Sequence, residues 1–333
     1  MVTQAPHYVA IVAGNGYTKA RSGNKRKTFS SVIAPEQGGI KFDGLKGSTD
    51  FVMSYAGQRF AIGDSAYSLS QIQTVRMDRS RICTPFYKQL FIAALISVVP
   101  EGGEIVAVIT LPLQWYDKRE EIKAFLKESY EVKIAGKTIV YDVTDVRAVP
   151  EGFGVLCFNM IDDNGVIVDE TFGQRPVGVI EIGTGTTDLS FFDGLKINRA
   201  KSAGLPHGLG EVWMGIGADI SSRIGRDLEL HEVDRIIRDG GFFDMGEWVE
   251  IAPYVDIHMP SLADYTQGQV GLRWGDRGRE ASVILVAGGG CTPLYDYFDY
   301  PHAIKSPKPW MTDMEGIYRY LLFKRAMELQ QRK

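Results

Sequence analysis

The sequence predicts a two-domain α/β protein, on three observations. An apolar strand followed by a glycine turn occurs at three widely spaced places, around residues 14, 183 and 288. Apolar runs of strand length alternate with stretches of helical spacing along most of the chain. A length of 333 residues with 44% hydrophobic side chains supplies two ordinary cores.

The first of these observations is also the one that points to chemistry. Val179 to Phe192 reads Val-Ile-Glu-Ile-Gly-Thr-Gly-Thr-Thr-Asp-Leu-Ser-Phe-Phe, two apolar strands around a polar tip. In that tip Gly183 and Gly185 let the backbone approach a ligand closely. Thr184, Thr186 and Thr187 add hydroxyls that, with backbone N–H groups, suit phosphate oxygens. An ordinary glycine-containing hairpin has the same pattern. A second turn of this design follows the strand Tyr8 to Ala13: Gly14-Asn15-Gly16 is the turn, and Tyr17-Thr18-Lys19-Ala20 begins the return, with Lys19 placed as a point charge for phosphate. The third follows Ser282 to Ala287, where Gly288-Gly289-Gly290 leads through Cys291-Thr292-Pro293-Leu294 into a helix start. Three such elements imply one nucleotide held between two halves, with the two hairpins on its phosphates and the third turn under the nucleoside.

In chain order, residues 8 to 63 read as short strands with turns at Gly23-Asn24, Gly38-Gly39 and Gly57-Gln58. Pro85 to Val99 has apolar residues at helical spacing around Ala93-Ala94, which predicts a buried helix, and Ile105 to Leu111 a strand after it. Tyr116 to Tyr130, rich in Lys and Glu, predicts an amphipathic helix, and Val132 to Val146 two strands around Ala135-Gly136-Lys137. A helix starting near Pro150-Glu151-Gly152 runs to about Met160, and Asp162 to Pro176 is a polar loop. Gly204 to Gly210 is a glycine-rich turn, Glu211 to Ile224 a helix, and Leu228 to Gly240 an amphipathic helix ended by glycine. Tyr265 to Arg279 has no clear period. Pro301, Pro307 and Pro309 mark a linker-like stretch before the helix Asp313 to Gln331, whose Tyr318, Leu321, Leu322 and Met327 predict packing on a core.

The formal net charge of −4 gives no support to direct binding of DNA or an anionic membrane surface. Basic residues between Lys19 and Lys27 read as a solvated hairpin turn. Cys83, Cys157 and Cys291 are odd in number and lack metal or disulfide spacing, which fits a reducing cytoplasm. No apolar run reaches membrane-spanning length, and Met1 to His7 lacks a signal pattern. His207 reads as a surface histidine without a metal partner.

Taken in order, these segments resemble the actin superfamily of ATPases, most closely the ParM/StbA group of bacterial plasmid-segregation actins. The similarity rests on Gly14-Asn15-Gly16-Tyr17-Thr18-Lys19, Phe29-Ser30-Ser31-Val32-Ile33-Ala34 and Phe60-Ala61-Ile62-Gly63-Asp64-Ser65-Ala66. It continues through Thr110-Leu111-Pro112-Leu113 with Tyr116-Asp117, Val149-Pro150-Glu151-Gly152, the central hairpin, Ala287-Gly288-Gly289-Gly290, and Asp313-Met314-Glu315-Gly316-Ile317-Tyr318-Arg319-Tyr320.

The resemblance implies an actin-like (ribonuclease H-like) two-domain fold with a nucleotide cleft between the domains. Domain I would span 1–155 and be completed by a C-terminal helix, 311–333, and domain II would span 156–310. It implies ATP or ADP with Mg²⁺, filament formation by self-association, a DNA-binding adaptor as a partner, and a role in DNA segregation or a related cytoskeletal task. Glu151 matches the family glutamate that positions or activates the attacking water; read without the family it is an acidic residue in a helix's first turn. Glu232 and Ile236 match a helix that lines the adenine, and Thr292 joins the triple glycine in the nucleotide set. Two departures touch the metal. Val12 stands where relatives carry the first Asp, and Glu181 stands for the second, so Glu181 is expected to reach the waters of Mg²⁺, with Asn15 as a neutral oxygen and hydrolysis slow. A non-polymerising ATP-binding switch and a small-molecule kinase of the same superfold remain alternatives.

Overall fold

The structure, a computed structural model, describes residues 5–35, 52–63, 65–66 and 82–331. The expected turn at Gly38-Gly39 and the motif residue Asp64 lie outside the described residues. The chain divides into two compact units, 1–170 with 311–333, and 171–310.

The first unit is built on a sheet in the order β3-β2-β1-β7-β9-β8-β5-β6-β4. Its strands are β1 (His7–Ala13), β2 (Tyr17–Ser22), β3 (Lys25–Ser30), β4 (Ile33–Pro35), β5 (Val52–Tyr55), β6 (Gln58–Ile62), β7 (Gly103–Leu111), β8 (Ser129–Ile134) and β9 (Lys137–Pro150). β1, β7 and β9 run parallel at its centre, and antiparallel hairpins extend it on both sides. One face is covered by α1 (Pro85–Val98), apolar almost all round, with ten buried residues. A helix apolar on every side belongs inside a core. Its start is fixed by Pro85 in the first turn and by Thr84, whose hydroxyl accepts from the Tyr87 N–H at 3.3 Å.

On the other face Ala10, Val12, Val108 and Val149 pack against Met314, Ile317, Tyr318 and Leu321 of the last helix, α8 (Pro309–Gln331). Between them comes α3 (Phe153–Met160), where a Cβ on Gly154 would strike the backbone of Asp313 and one on Gly316 the backbone of Gly154. This glycine contact keeps the whole of α3 in the first unit, past the expected boundary at residue 155. The expected long helix from Tyr116 to Tyr130 is shorter: a 3₁₀ segment, Leu113–Lys118, precedes α2 (Arg119–Leu126), and Tyr130 already belongs to β8. Tyr130 is fully buried with its hydroxyl donating to the Leu126 carbonyl at 2.7 Å, so burial of the ring overrides the helical charge pattern.

The basic hairpin β2–β3 is not simply solvated. Arg21 is 4% exposed, pairs with Glu315 and with Asp163 at 3.0 Å, and lies 4.2 Å from the centre of the Tyr318 ring. Arg26 also meets Glu315. Burying a guanidinium requires such partners, and α8, together with Asp163, supplies them.

In the second unit the sheet order is β12-β11-β10-β16-β17, with β13 also beside β11. These are β10 (Pro176–Ile182), β11 (Thr187–Asp193), β12 (Lys196–Ile197), β13 (Ala203–Leu205), β16 (Val283–Ala287) and β17 (Ala303–Lys305). Its core also takes residues from α4 (Leu209–Ile224), α5 (Leu230–Asp239) and α6 (Ala252–Trp274). The structure resolves the stretch with no clear period: Tyr265 to Trp274 is the second half of α6, which carries Pro260 inside it. Trp274, fully buried, anchors that end through an N–H donated to the Lys201 carbonyl at 2.7 Å and through close contact with Gly178. A separate two-stranded ribbon, β14 (Gly241–Asp244) with β15 (Glu247–Glu250), follows α5.

Candidate functional site

Each unit carries one of the hairpin turns on a rigid support. In the first, β1 and β2 pair through Ala13 and Thr18, and the Gly14 N–H donates to the Tyr17 carbonyl at 3.0 Å. A Cβ on Gly14 would stand 2.8 Å from that same carbonyl oxygen, so the turn requires glycine there. Ser31 braces it from below: its hydroxyl donates to the Gly14 carbonyl at 2.8 Å and its N–H to the Gly16 carbonyl at 2.8 Å. Thr18, a residue of the first phosphate-loop motif and so expected to contact the nucleotide, points inward. It is fully buried, its hydroxyl 2.9 Å from that of Ser31, and it holds the turn instead of touching a ligand. Lys19 lies on the opposite face, and its ammonium meets no carboxylate among the described residues. The N–H groups of Asn15 and Gly16 likewise find no acceptor among them.

Val12 sits directly across from Lys19. It is 6% exposed and belongs to the cluster beneath α8, so the missing family acid is replaced by a packing residue. Glu151 follows β9 and precedes Gly152, the left-handed cap of α3 at φ 81°, with its N–H donating to the Leu111 carbonyl at 2.9 Å. It therefore stands before the helix, not in its first turn, at a half-buried position held by strand β7 and by the glycine-packed helix behind it.

In the second unit β10 and β11 pair down to Ile182 and Thr187, and the Gly183 N–H donates to the Thr186 carbonyl at 2.8 Å. The segment leading into α4 grips this turn. Leu209 and Gly210 donate their N–H groups to the carbonyls of Gly183 at 3.0 Å and Thr184 at 2.7 Å. A Cβ on Gly208 would lie 2.7 Å from the Gly183 oxygen and 2.8 Å from both the Thr184 oxygen and the Thr186 nitrogen. With two carbonyls bound from behind, the N–H groups of Thr184, Gly185 and Thr186 are left without acceptors among the described residues. That is the polarity an anion requires. Thr187 is fully buried within the sheet, its hydroxyl without a hydrogen-bond partner, so it does not belong to the open tip.

Glu181 and Asp188 stand opposite each other on β10 and β11, their side chains on one face. The Thr186 hydroxyl donates to Asp188 at 3.2 Å. Asp188 escaped the sequence reading although it closes the Thr-Thr-Asp run; the pairing register is what sets it beside Glu181. No group of three or more His, Cys, Asp or Glu able to hold a metal occurs among the described residues. A pair of carboxylates suits Mg²⁺, which keeps several waters and takes substrate phosphate oxygens for the rest.

The third turn divides its glycines by task. Gly288, at φ 87°, and Gly290 are pressed against Ile182, and the Gly290 N–H donates to the Ile182 carbonyl at 3.0 Å. Gly289 is exposed with nothing within 4 Å of its Cβ position, and Thr292 is exposed beside it at the start of the short helix α7 (Cys291–Leu294). Of the three glycines, Gly289 is the one open to a ligand.

Glu232 and Ile236 are otherwise engaged. Glu232 forms a capping box with Glu229 and pairs with Arg226 at 3.0 Å, whose hydrogen bond holds its carboxyl below the usual range. Ile236 packs on the core of its own unit.

Comparison with known proteins agrees with this architecture. Residues 10–154 match the family of actin-like proteins N-terminal domain, and 179–299 match the archaeal actin homologue MreB-like C-terminal family. Comparison with curated protein sequences returns no match. Among solved structures, the chain is similar to the archaeal actin homologue Ta0583 in complex with ADP, at 19% identity and TM-score 0.76 over 97% of this chain and 99% of that one. It is similar to the subunit of a 15-stranded ParM filament from Clostridium botulinum, at 19% identity and TM-score 0.77 over 96% and 99%. The apo psk41 ParM protein is similar at 17% identity and TM-score 0.74 over 98% and 100%. No helix among the described residues is long and apolar enough to cross a membrane. With the two actin-like family models together spanning most of its length on this fold, the chain belongs to the actin superfamily.

Proposed function

We propose that this chain binds ATP and Mg²⁺, assembles into filaments in the ATP form, and hydrolyses the nucleotide slowly, as a cytoplasmic actin-like protein for DNA segregation or a related cytoskeletal task. The carrying observation is the pair of braced turns, Gly14–Tyr17 and Gly183–Thr186, whose supports bind their carbonyls and leave N–H groups without acceptors. Those N–H groups and the Lys19 ammonium bind phosphate oxygens and offset charge that builds up on the transferring phosphoryl group. Gly289 and Thr292 meet the nucleoside.

Mg²⁺, when bound, neutralises phosphate charge; Glu181 and Asp188 would hold its waters. Glu151 orients the attacking water and accepts its proton. The longer Glu181 in place of an aspartate, and Val12 in place of the other, make turnover slow. Support for assembly comes from the ParM and Alp12 structures described as filaments, and support for the nucleotide from the ADP complex of Ta0583. A DNA-binding adaptor would link such filaments to cargo, because the net charge of −4 disfavours direct contact with DNA.

Pelleting and electron microscopy of the purified chain with ATP, ADP or no nucleotide test this reading. ATP-dependent filaments are expected. ATP binding with only small closed species would replace the filament by a switch or a kinase. No nucleotide binding in calorimetry would remove the site itself.

A further inference from the structure

Two Asn-Gly steps occur in the sequence, Asn15-Gly16 in the first glycine turn and Asn164-Gly165 in the loop after α3. Asparagine before glycine readily loses its side-chain amide, because the next nitrogen, with no Cβ beside it, can reach the carboxamide carbon and close a five-membered ring. Folding decides whether it does, since any hydrogen bond on the reacting groups must first be broken.

The two steps are held very differently. At the second, Asp162 grips every group that would have to move. Its carboxylate accepts from the Asn164 N–H at 2.9 Å and from the Asn164 side-chain amide at 3.3 Å, and its carbonyl accepts from the Gly165 N–H at 3.1 Å. Gly165 is also pressed against α8, where a Cβ would stand 2.7 Å from the Phe323 nitrogen. At the first step, the Asn15 carboxamide, the Asn15 carbonyl and the Gly16 N–H have no hydrogen-bond partner among the described residues. Ser31 holds the carbonyls of Gly14 and Gly16 on either side, so the peptide unit left unheld is the one that joins the two reacting groups. Both residues are half-buried, within reach of water.

We propose that Asn15 is a deamidation site, open while the first turn is empty and closed when a nucleotide phosphate occupies it. Hydroxide takes the Gly16 amide proton, and the nitrogen attacks Cγ of Asn15. The N–Cγ bond forms, the Cγ–Nδ2 bond breaks, and ammonia departs with a proton returned by water. A second water opens the ring on one side of the nitrogen or the other, leaving aspartate or isoaspartate at position 15; nothing is oxidised or reduced. Either product sets a carboxylate among N–H groups that suit phosphate, and isoaspartate also lengthens the main chain of the turn. A phosphate oxygen that accepts from the Gly16 N–H withholds that nitrogen from attack. A chain left empty therefore loses its site, while a loaded chain keeps it. The closure rests on the proposed phosphate role of this turn; deamidation of the empty chain does not.

Peptide mapping by mass spectrometry tests it, on the full chain incubated at mildly alkaline pH without nucleotide, with saturating ADP and Mg²⁺, and in denaturant. In the folded empty chain Asn15 is expected to convert at least about tenfold faster than Asn164, the equivalent of one hydrogen bond to a charged group. In denaturant the two should convert alike. ADP should slow Asn15 by about tenfold or more and leave Asn164 unchanged. The incubated chain should bind ADP about tenfold more weakly than fresh chain in calorimetry. Asn15→Gln, whose longer side chain must close a larger ring, should keep through incubation whatever affinity it starts with. Equal rates at the two steps in the folded chain overturn the site. ADP bound without any slowing of Asn15 overturns the closure, and full affinity after conversion overturns its effect on binding. Fresh chain that binds no ADP overturns the phosphate role of the turn and the closure with it, while the two rates in the empty chain still decide the modification.

Discussion

Gly288 lies so close to Ile182 that a Cβ on it would collide with that residue's backbone, its nitrogen at 2.6 Å, whereas Gly289 next in the chain has nothing within 4 Å. The two glycines therefore fail differently. Gly288→Ala adds a clash to a left-handed φ of 87° and is expected to cost about 2 kcal/mol or more of stability. Gly289→Val is expected to unfold like the wild type and to bind ATP at least about tenfold more weakly, a loss of about 1.4 kcal/mol. Thermal unfolding and calorimetry on both variants check this; equal stability of Gly288→Ala and wild type contradicts the packing role.

The second hairpin is exposed to the same logic through its support. Gly208→Ala drives a methyl group between the carbonyls of Gly183 and Thr184, whose oxygens would stand 2.7 and 2.8 Å away. The turn must shift, and with it the N–H groups of Thr184 to Thr186. ATP affinity is expected to fall by about tenfold or more, as read by calorimetry on protein whose circular dichroism matches the wild type.

The three glycine turns, α1 and α8 were legible because each has a short-range cause: a positive φ, a tight approach or an apolar period. What the sequence hid was decided by strand register and by residues far apart. Asp188 joins Glu181 only through strand register, and Arg21 leaves solvent only because Glu315, nearly three hundred residues later, meets it. Thr18 has the composition of a ligand residue, but the alternation along β2 turns it inward to Ser31. The ribbon β14–β15 is hidden because its five apolar residues among Gly241–Glu250 do not alternate cleanly and its turn is Met-Gly.

Val12→Asp tests what became of the missing acid. If Val12 were a vacant metal position, the acid would raise Mg²⁺-dependent turnover. The structure places Val12 among Val108, Met314 and Ile317, at 6% exposure. A carboxylate there leaves water among apolar side chains and is offset only in part by the Lys19 ammonium across the strand pair, so a loss of about 1–3 kcal/mol in stability is expected, larger at neutral than at acid pH. Denaturant unfolding at two pH values measures it; a variant as stable as the wild type and faster in turnover would contradict the packing role.

The last prediction concerns the charges that tie the β2–β3 hairpin to α8. Arg21 serves Glu315 and Asp163 at once, and Arg319 holds Asp163 at 3.3 Å while donating to the Phe158 and Ile161 carbonyls at 2.6 and 2.9 Å. Glu315→Gln keeps the shape but leaves the buried guanidinium short of a counter-charge. A loss of about 3–5 kcal/mol is expected, changing little with added salt because the pair is screened from solvent. Asp163, more exposed, behaves differently. Its burial opposes ionisation, but the Arg21 hydrogen bond and the Arg319 charge outweigh it and hold the carboxyl below its usual range. A depressed folded value means that the ionised form favours the native state. That contribution is complete above the unfolded value of about 3.9 and is lost as pH falls through the folded one. Asp163→Asn should therefore unfold more easily than the wild type near pH 7, and the two unfolding curves should converge as the pH drops below about 4. A gap that persists unchanged at acid pH would show that Asp163 acts through hydrogen bonding and not through its charge.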